Sequence, residues 1–107
     1  MSLLNTTLAA ELTSGAYMAR VIEYKEVDDG IHKPYIAIML DVDGNRIEDR
    51  WYESRMSYIT MCLRRQFNLQ YNRISVVDLL DRCTKEDFAI IIEYDQRYGR
   101  QISYTAV

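Results

Sequence analysis

Rings and cations sit side by side at two places in the chain. Lys33 and Tyr35 open one apolar run, Arg50 and Tyr52 close the next, and Arg97, Tyr98 and Arg100 crowd a turn near the C-terminus. A tyrosine ring can stack on another flat ring. A guanidinium also stacks, and it forks onto paired oxygens in a way that an ammonium cannot. The chain leans toward that chemistry, with ten arginines against three lysines. Catalysis has less support: there is no Ser/His/Asp or Cys/His spacing, no phosphate-cradling glycine loop and no metal-ligand cluster. Glu48 and Asp49 are adjacent, so on a strand they point to opposite faces and cannot work as an acid/base pair. His32, the only histidine, stands beside Lys33 without a partner at a fixed spacing and reads as a surface loop residue. Cys62 and Cys83 lack any CxxC or CxxH pattern and read as reduced, buried thiols, so neither a metal nor a cofactor is expected.

The elements that must position these side chains are legible around Asp43-Gly44-Asn45. Asp-Gly between two alternating apolar runs is a strong hairpin signal. Ile36, Ile38, Leu40 and Val42 share one face of the first strand, and Ile47 and Trp51 share one face of the second. A two-residue turn at Asp43-Gly44 sets Leu40 opposite Ile47, Ile36 opposite Trp51, Tyr35 opposite Tyr52, Ala37 opposite Arg50 and Asp41 opposite Arg46. The hairpin then has an apolar side and a side of tyrosine, arginine and acid. Parity puts Trp51 in the core, whereas a strand-end bulge would turn it outward as a stacking platform.

Upstream, residues 1–14 form an N-terminal extension in which Leu4, Leu8 and Leu12 allow a short helix. A long, bent strand follows over Ala16 to Val27, with Tyr17, Ala19 and Val21 on one face and Met18, Arg20, Ile22 and Tyr24 on the other. Downstream, the period changes from two to about 3.6. Met56, Ile59, Leu63 and Phe67 make the apolar stripe of a helix over Ser54 to Phe67, with Ser54 as its cap. Ser75 caps a second, shorter helix through Leu79, Leu80 and Cys83. Phe88 to Tyr94 reads as a strand, and Arg100 to Thr105 as the last one, with Ile102 and Tyr104 facing the same way.

The whole of 107 residues at 49% hydrophobic content is one globular domain, able to bury about two thirds of its unfolded-chain surface. No segment approaches the ~20 apolar residues of a membrane span and no basic leader precedes an apolar run, so a cytoplasmic location is expected. The net charge of −3 counts against coating a polyanion by global charge alone. Five strands with a helix between the third and fourth match a β-rich, five-stranded OB-fold Greek-key barrel over residues 15–107, the helix plugging one end.

The runs GAYMARVIEYKE, KPYIAIMLDVDGNRIEDRWY and FAIIIEYDQRYGRQISY resemble the OB-fold single-stranded-DNA-binding proteins, particularly those of phages and mobile elements. The resemblance covers most of residues 15–105, without an invariant motif. It implies single-stranded DNA, or RNA, as the partner in replication or recombination, bound on the face of strands two and three and gripped by the flanking loops. Mapped here, that surface is Lys33, Tyr35, Arg50, Tyr52, Arg97, Tyr98 and Arg100. Many bacterial relatives end in an acidic tail that recruits partners, and this chain ends in Ile102-Ser103-Tyr104-Thr105-Ala106-Val107. Exposed edges at the first and last strands would favour a homodimer or larger assembly. Two readings compete: Tyr35 and Tyr52 as a cross-strand pair that only stabilises the sheet within a solvated face, and the same face as an adaptor that holds another protein.

Overall fold

A computed structural model describes residues 12–69 and 74–105. Its local centre is the expected hairpin, β2 (Tyr35–Val42) and β3 (Asn45–Tyr52). Asp43 and Gly44 have φ of 52° and 80°, the pair of left-handed residues that a two-residue turn matched to strand twist requires. The Asp41 carboxylate accepts the Gly44 N–H at 3.0 Å and holds the turn. All five expected cross-strand pairs form, Leu40 with Ile47 through Tyr35 with Tyr52, because turn length and side-chain parity together leave one register that buries the apolar face.

β1 (Gly15–Val27) is long enough to pair twice, at its start with β4 (Phe88–Asp95) and from Ala19 onward with β2. β5 (Gly99–Ser103) pairs with β4, giving an antiparallel sheet ordered β3-β2-β1-β4-β5. The expected bend in β1 is a bulge: the register slips between Val21 and Glu23, leaving Ile22 as the extra residue. One inserted residue reverses the faces beyond it. Tyr24, read from the sequence as sharing the Met18 side, therefore turns toward the core side, opposite fully buried Ile38. Of the two strands expected at the edges, the last is one and the first is not. β1 is central, and the edges are β3 and β5, joined by no backbone ladder.

The chain passes from β3 into α1 (Glu53–Gln66) without a loop. Ser54 is consequently inside the first turn and not the cap; Tyr52 holds the cap position and makes no side-chain capping bond. Ile59 and Leu63 are fully buried, and Met56 and Phe67 pack against the same core. α2 (Val76–Lys85) begins as expected, with Ser75 Oγ accepting the Asp78 N–H at 3.0 Å. It lies under β1, where the Tyr24 hydroxyl donates to Asp81 at 2.7 Å. The carboxylate beside it pushes the Tyr24 phenol above its ordinary pKa.

β5 stops at Ser103, short of the expected Thr105, because a side chain takes over the pairing. Gln66 at the end of α1 accepts the Ala89 N–H at 2.7 Å and donates to the carbonyls of Ala89 and Tyr104, each at 2.8 Å. The centre of the core is aromatic: Trp51 meets Tyr104 edge-on with ring centroids 5.4 Å apart, and Phe88 lies 6.0 Å from Tyr104. Trp51 is completely buried, as its parity with Ile47 requires. Both cysteines are unpaired and buried, and burial pushes the Cys83 thiol up to about 12. Among the described residues no helix is long and apolar enough to cross a membrane. The helix suggested for the N-terminal extension falls on residues 1–14, of which 1–11 lie outside the described residues.

Candidate functional site

The two open edges of the sheet are bridged by side chains. Arg55, on the first turn of α1, donates to the Arg50 carbonyl of β3 at 2.7 Å and to the Ile102 carbonyl of β5 at 3.0 Å. Its charge is met by Asp49 at 3.1 Å. Arg100 of β5 donates to the Glu48 carbonyl of β3 at 3.1 Å. Asp49 also accepts the Tyr104 hydroxyl at 2.6 Å, and Tyr104 in turn accepts the Trp51 indole N–H at 2.8 Å. Two guanidiniums and a buried phenol thus bridge strands that lack a ladder. Their placement brings the rings and cations of β5 alongside those of β3.

On the outward face of the hairpin, Tyr35 and Tyr52 stand 5.3 Å apart between ring centroids, tilted by 47°. The Arg50 guanidinium lies over the Tyr35 ring at 4.7 Å, a cation on the negative face of an aromatic quadrupole. The Tyr52 side chain first, then Tyr35, hold the Arg50 pKa above its ordinary value. Glu48 approaches Arg50 at 3.7 Å.

Three grooves meet at this cluster. The first covers the β1-β2-β3 face and includes Tyr35 and Arg50. The second, about 710 Å³, follows the gap between β3 and β5 and includes Arg50, Tyr52, Tyr98 and Arg100. The third joins Tyr52 to Lys33 and Pro34 of the β1–β2 loop. Because Arg50 and Tyr52 are each shared by two grooves, six of the seven residues singled out from the sequence line one connected surface. Arg97 stands apart in the β4–β5 turn, which is held by Asp95 accepting the N–H groups of Arg97 and Tyr98.

No family model matches the chain, and neither does any curated protein or solved structure.

Two residues of this surface escaped the sequence reading. Arg55 is one arginine among ten, and its role depends on β5 lying beside β3, which no local pattern states. Tyr58 lines the β3–β5 cleft at 50% exposure. Its signal was present: Tyr58 falls off the Met56, Ile59, Leu63, Phe67 stripe, and an aromatic away from the buried side of a helix has no packing role there. His32 is exposed as expected, but it does have a partner, Asp29 three residues earlier, with Nδ1 2.7 Å from Oδ2. The His32 side chain, followed by the His32 and Ile31 N–H groups, holds the Asp29 carboxyl down at about 2. Among the described residues no group of three or more His, Cys, Asp or Glu is placed to hold a metal ion.

Proposed function

We propose that the chain is a barrel of OB type that binds single-stranded nucleic acid, DNA in the first instance, without reading its sequence. The supporting observation is the connected surface on which Tyr52, Tyr58 and Tyr98 share a cleft with Arg50 and Arg100. Stacking is worth ~1 to 3 kcal/mol per base and tolerates any sequence, because every base has a π-face. Cations beside the rings supply phosphate contacts. A duplex hides its base faces and offers mainly phosphates, which Asp41 and Glu48 on the same side of the hairpin would repel.

The OB assignment is supported by the strand order. Placing β3 beside β5 converts β3-β2-β1-β4-β5 into a Greek-key barrel with its helices inserted between the third and fourth strands; Arg55 and Arg100 span that junction. We place the protein in the cytoplasm, acting as a binding module in phage or mobile-element DNA replication or recombination, and as a homodimer or larger assembly. β1 is central and offers no edge for assembly. What supports assembly is the avidity gained by linked sites, together with Met18 and Ile22, which lie open on β1 at 54% and 40% exposure.

The test is a fluorescence-anisotropy titration of labelled oligo-dT and of a duplex at two salt concentrations. Oligo-dT binds and duplex binds far more weakly if the reading holds. Equal affinity for both, or no binding of either at 50 mM salt, refutes it and makes a protein-binding adaptor the better account of the same face.

A further inference from the structure

Two paths lead away from the Arg50–Tyr35–Tyr52 cluster, and they differ in charge and in open ring surface. Along the β1-β2-β3 groove the ionisable lining is Lys25 and Arg50 against Glu23 and Glu48, which balances. Along the β3–β5 cleft it is Arg50, Arg55 and Arg100 against Glu48 and Asp49, one cation in excess. That excess does not depend on the inner pair: Asp49, only 12% exposed, cancels Arg55 at 3.1 Å, which leaves Arg50 and Arg100 against Glu48 toward solvent. A polyanion is drawn along the second path.

The rings point the same way. In the hairpin groove Tyr35 has Arg50 over its face and Tyr52 against it, and the half-buried Tyr24 is tied to Asp81. In the cleft, Tyr98 is 71% and Tyr58 50% exposed. Tyr58 is also held in place, since its hydroxyl lies 2.8 Å from the Thr105 hydroxyl. A ring already fixed in orientation loses little further freedom when a base lands on it.

We infer that the β3–β5 cleft is a second subsite for the strand, in which a base stacks on Tyr58 of α1 while an adjoining phosphate meets Arg100. The inference rests on the single-strand reading above and specifies the route: from the β1–β2 loop across Tyr52 and over the barrel junction to the helix. The helix thereby serves both sides of the molecule, with Ile59 and Leu63 in the core and Tyr58 toward the ligand.

The test compares wild type, Tyr58→Ala, Tyr58→Phe and Tyr52→Ala by oligo-dT anisotropy, with photo-crosslinking of a 5-iodouracil-bearing oligo-dT and mapping of the adduct. Tyr58→Ala is expected to weaken binding about tenfold, within the worth of one stacked base. The loss persists unchanged at high salt, because a ring and not a charge is removed. Tyr58→Phe keeps the ring and stays within about twofold of wild type, and the adduct maps to Tyr58. Thermal melts of both variants match wild type if the effect is one of binding. If Tyr52→Ala weakens binding and Tyr58→Ala does not, the subsite is refuted and the hairpin surface stands. Equal losses for Tyr58→Phe and Tyr58→Ala also refute it, since the Thr105 contact and not the ring would then matter. If wild type binds no oligo-dT, the single-strand reading itself falls.

Discussion

Replacing Tyr104 with Phe removes one oxygen from the place where the β3 and β5 edges meet and leaves the ring where it is. In the native protein that oxygen accepts the Trp51 indole N–H at 2.8 Å and donates to Asp49 at 2.6 Å, and both Trp51 and Tyr104 are 0% exposed. After Tyr104→Phe the indole N–H has no acceptor in a site closed to water, which costs ~1 to 3 kcal/mol, and a hydrogen bond to a charged group worth ~1.5 to 3 kcal/mol is lost. Asp49 keeps Arg55, so the second loss lies at the low end, and the expected destabilisation is about 3 kcal/mol. At ~4 to 8 °C per kcal/mol for a domain near this size, the melting temperature falls by roughly 12 to 24 °C. Trp51 is the only tryptophan and belongs to the network, so its fluorescence in a urea titration reads the transition directly. In a Trp51→Phe background, followed by circular dichroism, the same substitution should cost at least ~0.5 kcal/mol less, because the orphaned donor is gone. A loss below ~0.5 kcal/mol in the wild-type background would mean that the Tyr104 hydroxyl does not join Trp51 to Asp49, and the account of how β3 meets β5 would fail.

Other outcomes follow from the same geometry. Leu63→Ala, at a fully buried position, should cost ~2 to 5 kcal/mol in urea unfolding, and a value below ~0.5 kcal/mol would place Leu63 outside the core. Cys83 is held protonated by burial, with its pKa pushed up to about 12. Its contribution to stability is therefore complete below the unfolded value near ~8.5 and is lost as pH rises toward 12, by up to ~1.4 kcal/mol per pH unit. Tyr104, pushed up by burial and then by Asp49, adds to that alkaline loss above the ordinary tyrosine pKa; Cys83→Ala should flatten the decline between pH 9 and 10, and an unchanged slope would contradict it. For binding, Tyr52→Ala should weaken oligo-dT by ~1 to 3 kcal/mol at any salt concentration, whereas Arg50→Ala should lower the salt slope by about one phosphate; the reverse pattern would overturn the assignment of ring and cation. Light scattering at micromolar concentration should give a particle larger than 12.6 kDa, and a monomer alone would end the assembly proposal.

The sequence by itself determined the features that are local. The β2–β3 register needs only the Asp43-Gly44 turn and the alternation from Ile36 to Trp51, so every pair down to Tyr35 and Tyr52 was readable before any fold was known. The α2 cap was equally readable, since Ser75 and Asp78 are three residues apart and one bond joins them. Strand count and the position of the helices follow from the changes of period along the chain. Where a single residue alters local geometry without altering composition, the reading failed: Ile22 looks like any other member of a β-branched run, yet as a bulge it reverses the facing of Tyr24.

What only the tertiary structure decided is the junction of β3 and β5 and therefore the shape of the candidate site. Its bonds join residues far apart in the chain, Arg55 to Ile102, Arg100 to Glu48 and Tyr104 to Asp49. No propensity or periodicity carries that information, because a side chain's partner across a long loop depends on where the whole sheet returns. Arg55 and Tyr58 lie near the start of α1, and the sequence around them does not name their partners. Only when β5 comes to rest beside β3 do they face Tyr52, Tyr98 and Arg100 across one cleft.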